Sequence, residues 1–187
     1  VVEALIAAAD DGRWTGIRNA CALTLMWRTG ARCAETLSIN WTDVSVVERR
    51  VRIMRPKGVQ RGKPPRTLGL DAISVAAIER WRRCCRMQFK IPAAWPLNGP
   101  MFCTSNRQAM ASCRLRELMP RLTKKIGYPG RVSPHMLRHT FACEVAMEGR
   151  PMPWIQSALG HTKMSTTQIY LASLAPVDVL WEMADRE

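Results

Sequence analysis

The sequence predicts an α+β fold, mostly helical, with a small antiparallel sheet, and three observations carry that expectation. Apolar residues recur at helical spacing through several long segments, and alternation of apolar with charged residues is confined to one short stretch near residues 50–70. With 187 residues, 47% of them hydrophobic, and a mean hydropathy of -0.14, the chain has ample material for a buried core. Two helices open the chain, at about residues 1–10 and 15–28, and the second closes at Thr29-Gly30, where glycine permits the left-handed turn that ends helices. A third begins near Ala31. Val51 and Ile53, flanked by Arg50, Arg52 and Arg55, then read as a strand; the turn-rich PKGVQRGKPP and the segment RTLGL complete a hairpin with a basic tip. Asp71 caps a helix through ISVAAIERWRRCCRM, loop residues follow through IPAAWPLNGP, and a further helix is expected from Asn106 to Ile126, with Pro120 as a kink or break. Short helices punctuated by proline and glycine fill the remainder. No repeat, low-complexity tract or linker divides the chain, so residues 1–187 read as a single domain.

Charge narrows the function. There are 28 Lys plus Arg against 15 Asp plus Glu, a net charge of +13, and the pI is near 10.2. Such an excess is the electrostatic footprint of a nucleic-acid binder, because neutralising phosphates releases their condensed counterions. A solvated basic surface or attraction to anionic membranes is the plainer alternative. The longest apolar stretch, around Ala20 to Trp27, is broken by Thr24 and followed by Arg28, far short of a bilayer span. The opening VVEALIAAADDG has no basic leader ahead of an apolar core, so it does not read as a secretory signal. Seven cysteines (Cys21, Cys33, Cys84, Cys85, Cys103, Cys113 and Cys143) form an odd set without a C-x-x-C pair, which favours reduced thiols packed as small hydrophobes in an intracellular protein. His135 and His139 lie four apart, but HMLRH has arginine where a metalloprotease helix carries glutamate, and no metal site is expected.

Three local motifs bear chemistry. In SPHMLRHTFA, Ser133 is a good N-cap, Pro134 suits the first helical position, and His135 and Arg138 share a helix face one turn apart. A guanidinium forks onto phosphate oxygens and an imidazole accepts a proton near neutral pH, although the same pair also occurs on ordinary solvated faces. ALGHTKMSTTQIY sets His161 after Leu159-Gly160 and Tyr170 nine residues on, in a chain with two tyrosines. TGARCAETLSI opens a helix at Arg32, with Glu35 one turn later, either bracing Arg32 or acting as a capping or solvent-facing carboxylate.

In the order Arg32, a hairpin lysine, His135-x-x-Arg138, Leu-Gly-His161 and Tyr170, these pieces resemble the catalytic domain of the tyrosine recombinases, the phage integrase family, over about residues 18–172. The resemblance implies a three-stranded antiparallel sheet on one edge of a helical catalytic domain. It implies an enzyme that cleaves and rejoins double-stranded DNA through a 3′-phosphotyrosine, with no metal or nucleotide cofactor and no small-molecule substrate. The enzyme would work as a homo-tetramer on paired sites, as a cytoplasmic, nucleoid-associated protein of bacterial, phage or mobile-element origin. An amino-terminal helical DNA-binding domain usually precedes this segment in the family, in keeping with a chain that opens at Val1.

The resemblance also assigns roles. Arg32 and Arg138 would stabilise charge on the phosphoryl oxygens. Tyr170 would be the nucleophile; its free pKa near 10 calls for a base, which His135 supplies, while His161 donates to a phosphoryl oxygen. A hairpin lysine would protonate the leaving 5′ oxygen. Lys57 directly follows the VRIM strand, but an extended VQRGKPP separates Lys57-Gly58 from Arg66, and Lys63 is the alternative. Ala172 stands where many relatives have histidine, outside the catalytic set. The tail places Leu174, Val177, Leu180, Trp181 and Ala184 at helical spacing behind Pro176, either to dock on a neighbouring subunit or to pack on its own domain. A type IB topoisomerase would use the same tyrosine chemistry but tends to carry lysine at the His135 position. A catalytically silent DNA-binding relative would have no need of Tyr170.

Overall fold

The computed structural model describes residues 1–56 and 64–160. The element order is α1 (Val2–Ala9), α2 (Trp14–Thr29), α3 (Cys33–Leu37), a 3-10 turn (Trp41–Asp43), β1 (Val44–Ser45), β2 (Arg50–Ile53), β3 (Arg66–Gly69), α4 (Ala72–Phe89), α5 (Ser112–Lys125), α6 (Pro134–Met147) and α7 (Met152–Leu159). Helix α2 is the axis of the domain: it is buried almost throughout, from Gly16 to Thr29, with α1, α4 and α6 packed on it. Helix α4 meets it through Ser74, Ile78, Trp81 and Cys85, a stripe at helical spacing, while Asp71 accepts from the Ser74 N–H at 2.8 Å to start the helix. Trp81 Nε1 donates to the Met101 carbonyl at 2.8 Å, so this large side chain is buried with its polar atom satisfied.

The sheet has the order β1-β2-β3, antiparallel throughout. In β2 the exposed Arg50 and Arg52 alternate with the buried Val51 and Ile53, as the sequence pattern requires. Ile53 opposes Arg66 and Val51 opposes Leu68, which places Arg66 on the inward face of β3 with Leu68. The hairpin tip, with Lys57 and Lys63, lies outside the described residues, as do His161, Tyr170 and the tail.

One expected boundary is corrected. Asn106 does not begin a helix: residues 103–110 form a tight turn closed by a bridge between Cys103 and Ala109, with Arg107 in the left-handed region at φ 59° and Thr104 N–H donating to the Gln108 carbonyl at 2.8 Å. These bonds hold the segment away from helical geometry while Phe102 and Met110 are buried, and α5 starts at Ser112. Pro120 does not break α5, which continues to Lys125; lacking an N–H, the proline leaves the carbonyl one turn earlier without its helical donor.

Helix α6 joins two apolar cores. Leu137 belongs to the main core around α2, while Phe141, Ala142 and Val145 form a smaller cluster with Ile155 and Leu159 of α7. None of the seven cysteines, all among the described residues, is in a disulfide; Cys21, Cys85 and Cys103 are buried, and Cys113 is exposed. Among the described residues no helix is long and apolar enough to cross a membrane, and no group of three or more His, Cys, Asp or Glu side chains is arranged to hold a metal ion.

Candidate active site

The N-termini of α3 and α6 and one face of α5 enclose a cleft of about 530 Å³. Arg32, Cys33 and Ala34 form one wall, Ser112, Arg116 and Pro120 another, and the run Arg131 to His135 with Arg138 the third. Its ionisable lining includes four guanidinium groups and one imidazole, and no carboxylate of the described residues lines it. Three of the predicted residues, Arg32, His135 and Arg138, therefore meet at one place, although Arg32 and Arg138 are 106 positions apart in the chain. Arg116 and Arg131, which the motif reading did not single out, add two exposed cations at its rim.

Each group reaches the cleft by a different local device. Ser133 is extended and Pro134 occupies the first helical position of α6, as its sequence suggests, but the Ser133 hydroxyl makes no capping bond. His135 therefore projects, exposed, from the first turn of α6, where the unpaired N–H groups of a helix start favour an anion. Arg138 lies on the inward stripe of α6 with Pro134, Leu137 and Phe141 and is 1% exposed. Its Nη1 donates to the Gly30 carbonyl at 2.7 Å and its Nη2 to the Leu159 carbonyl at 2.6 Å. Those carbonyls end α2 and α7, both closed by a left-handed glycine, Gly30 at φ 65° and Gly160 at φ 61°. Arg138 thus fastens three helices together while it also lines the cleft, a structural duty that the sequence reading did not assign to it.

Arg32 is held by Glu35, and both roles weighed for that carboxylate are realised. Glu35 accepts from the Arg32 backbone N–H at 2.9 Å, closing a capping box at the start of α3, and from Arg32 Nη1 at 3.0 Å. It is not solvent-facing: it is 2% exposed, and it also accepts a two-pronged pair from Arg66 of β3 at 3.1 and 2.8 Å. Burial alone pushes its carboxyl pKa up, but the hydrogen bonds and charges of Arg66 and Arg32 outweigh that and hold it down at about 2. A carboxylate ionised at every working pH thereby fixes a guanidinium at the mouth of an otherwise cationic cleft. The sequence does carry a signal for Arg66: in R-T-L-G-L, alternation puts it on the same face as Leu68 and Leu70.

A cleft lined by cations and one imidazole can bind a phosphodiester and stabilise added negative charge on it. The phage integrase family matches residues 1–175, nearly the whole chain. The chain belongs to that family. It is 30% identical over 164 residues to tyrosine recombinase XerC of Agrobacterium fabrum (strain C58), covering 88% of this chain and 49% of that protein. The crystal structure of XerA recombinase superposes with a TM-score of 0.76 at 26% identity, covering 97% of this chain and 61% of that one. The post-cleavage complex of XerH site-specific recombinase bound to palindromic difH substrate shares the fold, with a TM-score of 0.75 at 23% identity over 98% of this chain and 50% of that one. The chain spans about half the length of the curated relatives it matches. The integrase-family expectation of a helical domain with a small three-stranded antiparallel sheet agrees with the architecture described above.

Proposed function

We propose that this chain is the catalytic domain of a site-specific DNA recombinase that cleaves and rejoins double-stranded DNA through a 3′-phosphotyrosine. The observation that carries the reading is the convergence of Arg32, His135 and Arg138 on a cleft that no carboxylate of the described residues lines, in an integrase-family chain that retains Tyr170. The scissile phosphate sits in that cleft, its non-bridging oxygens facing the guanidinium groups of Arg32 and Arg138. His135 takes the proton from Tyr170 as the phenol oxygen attacks phosphorus, and His161 donates to a phosphoryl oxygen. The bond to the 5′ oxygen breaks, and a hairpin lysine, Lys57 or in its place Lys63, protonates that oxygen. Attack by a 5′ hydroxyl of the partner strand reverses the step. Two paired sites with four active sites imply a homo-tetramer on DNA, and the same reading expects a further DNA-binding domain ahead of this one and residence with the nucleoid in the cytoplasm. XerH, whose fold this chain shares, is a recombinase crystallised on its DNA substrate, which supports DNA as the partner.

The test is adduct formation by the full-length protein on nicked duplexes made from the sequence it selects out of a random DNA pool. Wild type is expected to give a covalent complex that survives denaturation, with the 3′ phosphate on the peptide containing residues 167–171. Tyr170→Phe is expected to bind the duplex as before and to give no adduct. The other tyrosine, Tyr128, is exposed in a Gly-Pro turn and does not line the cleft. An adduct on Tyr128, or one that persists in the Tyr170→Phe protein, refutes the assignment.

A further inference from the structure

Strand β3 delivers a guanidinium that the motif order leaves without a task. Arg66 opposes Ile53 in the ladder and points inward, with its side chain 13% exposed. Its two terminal nitrogens engage both oxygens of Glu35, at 3.1 and 2.8 Å, a fork that lysine cannot reproduce. Those same oxygens hold Arg32, one through its backbone N–H and the other through Nη1. Glu35 therefore has little freedom to turn: the sheet grips it from one side and Arg32 hangs from the other. The Arg66 guanidinium also lies against the end of α7, since a Cβ built on Gly160 would stand 3.0 Å from its Cζ. Gly160 is the residue before His161. The buried Arg66 Nε has no hydrogen-bond partner among the described residues, so the fork on Glu35 is what orients this group.

We propose that Arg66 is a positioning residue for DNA cleavage, fixing Glu35 and through it the Arg32 guanidinium at the cleft. The proposal rests on the reading of Arg32 as a phosphate donor. Preorganised charge accelerates a reaction only when its geometry is fixed before the transition state, and a displacement of about 1 Å can cost about a hundredfold in rate. The capping bond from the Arg32 N–H holds one Glu35 oxygen at the start of a five-residue helix, and the Arg66 fork adds a grip on both oxygens from the sheet.

The test measures adduct formation by full-length protein on the selected nicked duplexes, for Arg32→Lys, Arg66→Gln, Arg66→Lys and the combination of Arg32→Lys with Arg66→Gln, all below the melting midpoint of the least stable variant. Arg66→Gln is expected to slow the reaction about 10- to 100-fold with DNA affinity within about threefold of wild type, and Arg66→Lys to recover only part of the loss. Because Arg66 acts through Arg32, adding Arg66→Gln to Arg32→Lys is expected to cost less than about threefold more. Side-chain NMR supplies a readout independent of DNA: the Arg32 Nε–H signal, ordered in wild type, is expected to lose order in Arg66→Gln while backbone signals remote from the site stay in place. If Arg32→Lys leaves adduct formation unchanged, the reading of the cleft fails. If Arg32→Lys abolishes it but Arg66→Gln does not slow it, or if the two losses multiply, the cleft reading stands and the positioning role is overturned. Should Arg66→Gln not fold, Arg66→Lys carries the same comparison.

Discussion

Replacement of Arg138 by alanine separates a phosphate contact from a structural one. If the side chain served only the phosphate, its removal would leave the free protein nearly as stable as before. The geometry says otherwise: the guanidinium is 1% exposed and donates to two carbonyls, Gly30 and Leu159, in residues that are themselves buried. Each carbonyl stripped of its donor costs roughly 1–3 kcal/mol, and losing the positive charge at two helix C-termini adds about 0.5–1 kcal/mol. About 4 kcal/mol is the resulting destabilisation, and for a chain of this size each kcal/mol moves the melting point by about 2–4 °C, so a fall of about 8–16 °C is expected. Arg32→Ala is the matched control. Arg32 is about a quarter exposed, and its loss leaves Glu35 still gripped by Arg66, so its cost is about 1 kcal/mol, within about 4 °C. Both variants should lose cleavage, but only Arg138→Ala should also lose stability, and any drop in DNA binding there should track the unfolded fraction. Thermal and urea melts followed by circular dichroism decide the matter. A shift for Arg138→Ala within about 3 °C of that for Arg32→Ala would refute the reasoning, since it would mean that the two carbonyls find other donors at no cost.

Glu35 gives an acid-stability signature: because its folded pKa lies below its ordinary value of 4.5, at about 2, its contribution is complete above about pH 5 and is lost as pH falls toward about 2. The shift corresponds to roughly 3 kcal/mol, so urea midpoints of wild type should fall more steeply between pH 5 and pH 3 than those of Glu35→Gln, and parallel profiles would contradict the ion-pair account. Gly30→Ala should destabilise by at least about 2 kcal/mol in a urea melt, because the residue is left-handed at φ 65° and its added carbon would collide with the Phe141 ring; a change under about 0.5 kcal/mol would show that α6 has room to retreat. DNA binding should weaken by orders of magnitude from about 50 to 200 mM salt if six or more phosphates are neutralised, and a flat response in a filter-binding or anisotropy titration would remove the phosphate-dominated reading.

Periodicity and punctuation were enough to read most of the elements, because helices and short hairpins are local structures. The 3.6-residue stripe on α4, the Asp71 cap, the Thr29-Gly30 stop and the alternation in β2 all depend on neighbours within a few positions. The order of the arginine, histidine and tyrosine motifs was likewise legible, and so was the family to which the chain belongs. Bonds between distant segments were not. Nothing in the spacing of Arg138 says that its guanidinium ends on carbonyls 108 and 21 residues away, although its place on the apolar stripe of α6 marks it as inward-facing. Glu35 finds a second arginine 31 residues on because the sheet's register turns Arg66 inward beside it. The false helix start at Asn106 has a nearer origin, since a bridge between Cys103 and Ala109, six residues apart, and the burial of Phe102 and Met110 outweigh local helix propensity. A sequence specifies the periodicity of each segment directly, but which buried donor meets which buried acceptor is settled only when the segments pack, because that choice depends on distances that the chain acquires by folding.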